Sequence, residues 1–377
     1  MSKLLPCGAQ TLSKHPDRYP EGAPRTIGHA SGAWVWDGVS NPFILGRVIQ
    51  GNRYVDLTSG LGAVILGHGY PAVMEAIADQ LNRGISYPLP HAREEAVAER
   101  LVSMLTWDGA ESVRYGKNGA DVTGSAVRLA RAVTGREDVA YLHYHGHHDW
   151  SMIDPPMNGG VTSAVKSTSW HVPCLPPVDD ERRLACVVLE AVDSAKPRGP
   201  SCDFDRLRKW CDATGTLLIL DEMVTGFRMA PGGAAEVYGI RPDIACYGKG
   251  MANGMPLSAI VGPWDILKRY EEDVFFSTTH GGEALSLAAA EATMRVVVEE
   301  DVPKQLATLG EEVLAAATGS YGYPQRIMFD YTPEQLKAML DAGVLTAGYA
   351  NLTLAHVKDT NARETLFGAI EAAEALA

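Results

Sequence analysis

Short apolar runs alternate with amphipathic segments along most of this chain. From Arg53 onward, runs such as RYVDL, ACVVLEAV and TLLILDE are separated by stretches with helical periodicity, such as PAVMEAIADQLNRG and DFDRLRKWCDATG. Apolar runs of about four to eight residues predict strands, whereas apolar residues three and four apart predict the buried face of a helix. Strands and helices that alternate in this way predict an α/β protein with a doubly wound, mostly parallel sheet.

The two ends of the chain break this alternation. Residues 1–50 are rich in Gly, Pro and Trp and predict an irregular arm with one short strand at AWVWD. Near the other end the pattern becomes helical and then changes to a small α+β region. We therefore expect an N-terminal arm at 1–50 that packs with the small domain, a large α/β domain at 51–290, and a reduced small domain at 291–377.

Charge and cysteine content narrow the class of protein. The chain has 33 basic and 46 acidic residues, and its formal net charge of −13 argues against nucleic acid or an anionic membrane as the main partner. No two of the six cysteines form a CxxC pair, which predicts free thiols in a reducing compartment. No apolar run has the length of a membrane span, so we expect a cytoplasmic protein. The cysteines are Cys7, Cys174, Cys186, Cys202, Cys211 and Cys246.

Four ionisable residues that could take part in binding or catalysis fall at the predicted carboxyl ends of strands, namely Tyr144, Glu190, Asp221 and Lys249. In an open α/β sheet, ligands bind beyond those ends, so we expect the four residues at one rim. Asp221 follows the most apolar run, and a poorly solvated carboxylate there needs a positive partner. Each residue also has a structural explanation, because an aspartate after a strand often caps a helix and a lysine often lies in a surface turn.

Glycines flank Lys249 on both sides and leave room for a planar ring to approach its amine. A partly buried lysine is a nucleophile towards carbonyl groups. Asn118, Gly119 and Ala120 open a predicted helix directly after a strand, where free N–H groups attract an anion. Together with Asp221, these features suggest a cofactor that carries an aldehyde, a phosphate and a basic ring nitrogen, which is the layout of pyridoxal phosphate.

Two other ligand classes have to be weighed against this one. The glycines of GKGMANG suggest a dinucleotide fingerprint, but the last spacing is one residue too long and Pro256 interrupts the helix that should follow. The run HYHGHHD offers four histidines and an aspartate, so a metal site is a second alternative. His143 and His145 would share a strand face, but the other two histidines follow Gly146 in a loop. We therefore expect no metal.

Longer motifs carry more information than single residues. They run from about Pro6 to about Val297 and include NRYVDLTSGLGAVILGHGYPAVMEAI, NGADVTGSAVRLARAVTGRED, YHGHHDW, LLILDEMVTGFR, PDIACYGKGMANGMPLSAIVG and TTHGGEALSLAAA. Together they resemble the class III aminotransferases, and within that family the glutamate-1-semialdehyde 2,1-aminomutase branch. The resemblance implies a pyridoxal phosphate-dependent enzyme with the fold of aspartate aminotransferase, which works as a homodimer with shared active sites.

The resemblance also implies a role for each site residue. Lys249 would form a Schiff base with the cofactor and move the substrate's proton, and Asp221 would pair with the protonated ring nitrogen. Tyr144 and Met223 would cover the two faces of the ring. Glu190 would lie near the ring hydroxyl and the substrate.

Phosphate binding is one place where the chain departs from the family pattern. The turn at Asn118, Gly119 and Ala120 would hold the phosphate, but Ala120 lacks the hydroxyl of the usual threonine. Thr279 would reach the phosphate of the neighbouring subunit, which implies an obligate dimer. After Thr279 the sequence Gly-Glu-Ala replaces the family's usual Gly-Asn-Pro.

The substrate side differs as well. Lys14 stands where the aminomutase branch has an arginine for the substrate carboxylate, and Leu61 stands where it has a tryptophan. These two changes argue against an aminomutase substrate, so we expect transamination between an amine or amino acid donor and a keto acid or aldehyde acceptor. The C-terminal third is abridged as well, which implies an open substrate pocket or a reduced small domain. An aminomutase reaction is the first alternative. A non-catalytic binding protein of the same fold is the second, and the intact pair of Lys249 and Asp221 argues against it.

Overall fold

The computed structural model describes residues 8–38, 51–173 and 183–377. The first residues of the predicted arm, its segment 39–50, and Cys7 and Cys174 lie outside the described residues. The strands are β1 (Ile27–Ser31), β2 (Trp34–Asp37), β3 (Arg53–Asp56), β4 (Ser112–Gly116), β5 (Val139–Tyr141), β6 (Ser169–His171), β7 (Cys186–Leu189), β8 (Leu217–Asp221), β9 (Ile244–Tyr247), β10 (Ser258–Gly262), β11 (Tyr321–Tyr323), β12 (Arg326–Met328), β13 (Val344–Leu345) and β14 (Tyr349–Asn351).

Helices connect many of these strands. They are α1 (Pro71–Leu81), α2 (Ala92–Met104), α3 (Gly119–Thr134), α4 (Ser163–Thr168), α5 (Phe204–Thr214), α6 (Ala234–Tyr238), α7 (Trp264–Leu267), α8 (Arg269–Glu272), α9 (Ala284–Glu299), α10 (Val302–Ala316), α11 (Pro333–Asp341), α12 (Leu354–Lys358) and α13 (Thr360–Glu374). Within the described ranges, no helix is long and apolar enough to cross a membrane.

The chain divides into two compact units, and the first is built from both ends of the chain. The first unit comprises residues up to Met74 together with Val302–Ala377, and the second comprises Glu75–Asp301. Residues 51–74 and 291–301 are thus grouped differently from the domains expected at 51–290 and 291–377.

The second unit contains a seven-stranded sheet in the order β4-β10-β9-β8-β7-β5-β6. Strands β5 to β9 pair in parallel, whereas β10 runs antiparallel to both of its neighbours. The predicted α/β class with a mostly parallel sheet is therefore confirmed. Apolar side chains of α3 pack into the buried core of this sheet, among them Val122, Ala126 and Leu129 with Val188, Ile219 and Cys246 from the strands.

Local sequence explains where the helices of this unit begin and end. Asp203 precedes α5 and its carboxylate accepts a hydrogen bond from the backbone N–H of Arg206, as expected for an N-cap. Gly215 ends α5 at φ 65°, a left-handed conformation that glycine adopts without strain. Asn118 and Asp121 form a capping box at the start of α3.

One predicted strand is shorter than expected. The apolar run up to Tyr144 predicts a strand that reaches this residue, but β5 ends at Tyr141. His143 has a φ of 72°, which no strand residue adopts, so the chain leaves the sheet before the histidine run. The expectation that His143 and His145 share a strand face is therefore wrong.

The first unit contains two smaller sheets. One has the order β1-β2-β3-β13, in which the short β13 pairs in parallel with β3. The other is the antiparallel sheet β11-β12-β14. The strand predicted at AWVWD corresponds to β2, and it pairs with β1, which the sequence analysis had placed in irregular structure.

Candidate active site

Asp221 lies at the carboxyl end of β8 and is 3% exposed. One carboxylate oxygen, Oδ2, lies 2.7 Å from Nδ1 of His145. The other, Oδ1, accepts a hydrogen bond of 2.9 Å from the backbone N–H of Met223. The positive partner that the sequence analysis required for this carboxylate is therefore present within the chain.

His145 is fully buried and both of its ring nitrogens face acceptors. Its Nε2 lies within hydrogen-bond distance of the carbonyl oxygen of Leu142, and its ring stacks on Trp150 at 6.0 Å between centroids. Burial disfavours the charged ring, but the hydrogen bond to Asp221 and the charge of that carboxylate outweigh it and raise the pKa of His145. Since a carbonyl and a carboxylate both accept hydrogen bonds, the geometry fits a doubly protonated imidazolium.

The sequence pattern does not predict this role of His145. The histidine run suggests a metal site or an incidental cluster, whereas this histidine fixes Asp221. Within the described residues, no group of three or more His, Cys, Asp or Glu side chains could hold a metal ion. The available signal was the position of His145 just beyond a strand of the same parallel sheet, where side chains of neighbouring strand ends meet.

Lys249 follows β9, the strand next to β8. Asp221 is in register with Cys246 on β9, three residues before the lysine. Lys249 has a φ of 41° and begins a short 3₁₀ turn, Lys249–Ala252. Its side chain is half-buried. Its positive charge lowers the pKa of Glu190, so the predicted lysine and glutamate are close enough to interact electrostatically.

Met223 packs against both the segment that leads into Lys249 and the start of α3. A Cβ atom on Gly248 would lie 2.6 Å from the Sδ of Met223, and one on Gly119 would lie 3.0 Å from the same sulfur. A side chain at Gly248 would therefore force Met223 to move, because real Cβ contacts are longer. The buried methionine therefore packs against two backbone segments that carry predicted cofactor-binding residues.

The turn before α3 is held from two sides. The hydroxyl of Ser258 donates a 2.9 Å hydrogen bond to the carbonyl oxygen of Asn118. Gly146 packs so closely on Ala120 that a Cβ at this glycine would lie 2.7 Å from the Cβ of Ala120. This packing orients the first N–H groups of a 16-residue helix, which is the arrangement that favours anions.

Glu190 follows β7 and is 3% exposed. Its Oε2 accepts a 3.0 Å hydrogen bond from the backbone N–H of Ser194. Burial and, after it, the negative charge of Asp221 raise the pKa of Glu190 to about 7, although Ser194, His145 and Lys249 act in the opposite direction. Glu190 can therefore exchange a proton near neutral pH.

Two further predicted residues of the second unit lie at exposed positions. Tyr144 is 64% exposed and precedes the buried His145. Thr279 is exposed and lines a groove together with residues 86–91, Glu94 and Thr278. The predicted substrate residues Lys14 and Leu61 both belong to the first unit, where they line a cavity of about 300 Å³.

Comparison with known proteins identifies the family. The family model described as aminotransferase class-III matches residues 30–319. A glutamate-1-semialdehyde 2,1-aminomutase of Syntrophobacter fumaroxidans is 34% identical over 328 residues, which cover 80% of this chain and 72% of that protein.

Solved structures agree with this result. The FumI protein of Sphingopyxis sp. MTA144, solved in a pyridoxal phosphate internal aldimine form, has a TM-score of 0.82 at 25% identity, over 96% of this chain and 91% of that one. An amine transaminase from an uncultivated Pseudomonas species has the same fold, with a TM-score of 0.80 at 24% identity over 100% and 99% of the two chains. The resemblance drawn from the motifs is confirmed, and the chain belongs to the class III aminotransferases, a family of pyridoxal phosphate enzymes.

Proposed function

We propose that this chain transfers an amino group from an amine or amino acid donor to a keto acid or aldehyde acceptor, with pyridoxal phosphate as cofactor. The observation that carries the proposal is the buried pair of Asp221 and His145 at the end of β8, next to the strand that leads into Lys249. A carboxylate fixed in this way is a preorganised partner for a positive charge on a bound ring.

The residues present fit this cofactor. Lys249 offers an amine for the aldehyde, Asp221 offers a carboxylate for the ring nitrogen, and the first N–H groups of α3 offer donors for the phosphate. The glycines at 119 and 248 keep the space beside Met223 free of other side chains. We assign the phosphate to the turn at 118–120, and the two ring faces to Tyr144 and Met223.

The chain's own residues then have separate tasks. When bound, pyridoxal phosphate supplies an electron-accepting ring that stabilises negative charge on the substrate carbon. Lys249 Nζ removes the proton from that carbon and returns it, as a general base and acid. Met223 excludes water from its side of the site, and Glu190 holds a proton at its carboxyl group near neutral pH.

Visible absorption tests the cofactor assignment. Purified protein that has been loaded with pyridoxal phosphate and freed of excess should be yellow, and Lys249→Ala should lose this colour together with turnover. The matched control is Lys268→Ala, which removes an exposed lysine that pairs with Asp265. A wild-type protein that stays colourless in excess pyridoxal phosphate would exclude the assignment.

Substrate requirements separate transamination from the aminomutase reaction. Transamination consumes a donor and an acceptor, whereas an aminomutase rearranges one substrate. Lys14 and Leu61, which replace an arginine and a tryptophan of the aminomutase branch, favour transamination, while the 34% identity to a curated aminomutase favours the alternative. A screen of amine donors against keto acids and aldehydes, with glutamate-1-semialdehyde alone as a parallel reaction, decides between them.

We further propose a homodimer in which Thr279 donates its hydroxyl to the phosphate in the partner's site. The exposure of Thr279 in a groove of the second unit supports this role. Thr279→Ala should then weaken cofactor binding by roughly 1.5–3 kcal/mol, the value of one charge-assisted hydrogen bond, and Thr278→Ala is the control. Sedimentation with and without cofactor measures the linkage to dimerisation. A fully active monomer, or unchanged affinity in Thr279→Ala, would contradict the shared site.

A further inference from the structure

Lys117 and Glu283 form an ion pair that the proposed chemistry does not use. Lys117 Nζ lies 2.8 Å from Oε1 of Glu283 and donates a 3.0 Å hydrogen bond to the carbonyl oxygen of Pro256. Both side chains are largely buried, with 15% and 9% of their surface exposed. Removal of one partner from such a pair leaves the other charge without compensation, so the pair fixes the two segments that carry it.

The backbone of Lys117 belongs to the turn that opens α3. Its N–H donates a 3.1 Å hydrogen bond to Oδ2 of Asp121, and the N–H of Asn118 donates a 2.8 Å hydrogen bond to the same oxygen. The main chain of Lys117 therefore shapes the turn to which we assign the phosphate, while its side chain binds Glu283.

Glu283 is the N-cap of α9. Its Oε2 accepts a 2.7 Å hydrogen bond from the N–H of Leu285, and its Oε1 accepts one of 3.0 Å from the N–H of Ser286. One carboxylate thus binds both the start of a helix and the ammonium group of Lys117. The position of this carboxylate fixes the end of the segment 278–282 that precedes α9.

That segment, the 278–282 loop, is packed closely through its glycines. A Cβ on Gly282 would lie 2.7 Å from Cδ of Glu94, and one on Gly281 would lie 3.0 Å from the carbonyl oxygen of Tyr115. The side chains of Thr279 and His280 are exposed. The loop is therefore located by its backbone and by its anchor at Glu283, and a displaced anchor would move Thr279.

We propose that the Lys117–Glu283 ion pair is a positioning device for phosphate binding, which locks the 278–282 loop to the turn before α3. The inference rests on the proposed function, because the phosphate is that of the cofactor. The ammonium and the carboxylate bind each other, so neither is assigned a contact with the phosphate. The pair holds in place the turn assigned to the phosphate of its own site and the loop assigned to the phosphate of the partner's site, and this matters most in a chain where Ala120 offers no hydroxyl.

The test compares two ligands that differ only in the phosphate. Equilibrium dissociation constants of the cofactor-free protein are measured for pyridoxal phosphate and for pyridoxal, together with the midpoint of unfolding. Lys117→Met and Glu283→Gln should each weaken binding of pyridoxal phosphate by about tenfold or more, as expected when a charge-assisted contact is lost, and leave pyridoxal within about twofold. Lys268→Met, which breaks an exposed ion pair, should change neither constant.

Any one of four results would overturn the inference. Parallel losses for both ligands with a lower unfolding midpoint would make the pair a purely structural contact. Stronger binding of pyridoxal phosphate by Glu283→Gln would mean that Lys117 attracts the phosphate directly. An unchanged ratio of the two constants in both variants would remove the positioning role while leaving the proposed function intact. If the wild-type protein binds neither ligand, the proposed function fails, and the inference fails with it.

Discussion

Each compact unit contains a buried aspartate that is paired with a histidine, and the two carboxylates have different surroundings. In the second unit, His145 Nδ1 lies 2.7 Å from Asp221 Oδ2, and in the first, His68 Nε2 lies 2.9 Å from Asp56 Oδ2. The side chain of His145 is fully buried, whereas that of His68 is 20% exposed. The two pairs have nearly equal distances, so the difference lies in what else each carboxylate binds.

Asp56 is surrounded by donors. Its Oδ1 accepts hydrogen bonds from the N–H of Thr58 at 2.9 Å, the hydroxyl of Thr58 at 2.7 Å and the N–H of Ser59 at 3.1 Å. Burial raises the pKa of Asp56, but the hydrogen bonds from His68 and Thr58 outweigh it and hold the pKa below its usual value. Asp221 Oδ1, by comparison, accepts one described bond, from Met223. A carboxylate enclosed by donors stabilises a turn, whereas one with spare acceptor capacity can serve a ligand.

Replacement of each aspartate by asparagine should give the largest difference between the ligand-binding role of Asp221 and the structural role of Asp56. Asp221→Asn should lower turnover by about 10³-fold, since a preorganised charge partner in a closed site is lost, while the cofactor still binds through its phosphate. Asp56→Asn should instead lower the midpoint of unfolding and leave the spectrum of the bound cofactor unchanged. Steady-state kinetics and spectra of both variants measure the contrast. Near-normal turnover in Asp221→Asn would refute the role of this carboxylate.

Replacement of the histidines should give the next largest difference. His145→Gln leaves the buried Asp221 without its charged partner and should lower the free energy of unfolding by about 3 kcal/mol. The raised pKa of His145 means that its contribution to stability is present at low pH and is lost as pH rises through that pKa. The variant's deficit should therefore shrink at alkaline pH. His68→Gln, at a partly exposed position, should cost less at pH values below the pKa of His145, and equal deficits there would contradict the comparison.

Loss of one donor should sharpen the comparison on the Asp56 side. Thr58→Val keeps the size of the side chain and removes its hydroxyl, so we expect a loss of roughly 1.5 kcal/mol in the free energy of unfolding, the value of a hydrogen bond to a charged group. Cofactor affinity and colour should stay the same. Denaturant unfolding monitors the first quantity and absorption the second. A colour change in this variant would show that Asp56 belongs to the cofactor site.

Glu190 offers the smallest and most specific test, because the charge of Asp221 contributes to its pKa. Glu190 has a pKa of about 7 in the folded state and a lower, ordinary pKa in the unfolded chain. Between these two pKa values the folded state binds more protons, so the free energy of unfolding falls as pH rises through this range. Glu190→Gln should flatten this decline in part, since Glu222, whose pKa is also raised to about 7, remains. Asp221→Asn should shift the Glu190 transition to lower pH, whereas Asp56→Asn should leave it in place.

The features that the sequence predicted well are determined by local pattern. Asp203 is a cap because it directly precedes an amphipathic run, and Asp221 ends a strand because four apolar residues stop there. The mostly parallel sheet was predicted from such patterns and the family from the resemblance of longer motifs, and both are confirmed. The roles of Lys249, Glu190 and Thr279 in binding stay predictions.

The features that the sequence missed depend on distant parts of the chain. His145 and Asp221 are 76 residues apart in the sequence. The histidine lies in a loop whose path depends on the left-handed conformation of His143. The grouping of residues 51–74 with the C-terminal segment likewise depends on the pairing of β3 with β13. Hydrophobic periodicity predicts neither the contact between the histidine and the aspartate nor this strand pairing, because it depends only on residues of one helix or strand.

The pairing of β3 with β13 also sets an order of events during synthesis. Val55 and Asp56 pair with Val344 and Leu345, so this edge of the first sheet cannot close until roughly 290 further residues have left the ribosome, which takes about 15–60 seconds at typical elongation rates. The second unit, a continuous segment, can fold within that interval. Until then β3 is an open edge of the sheet, so it is the strand that a nascent chain must keep from pairing with another chain.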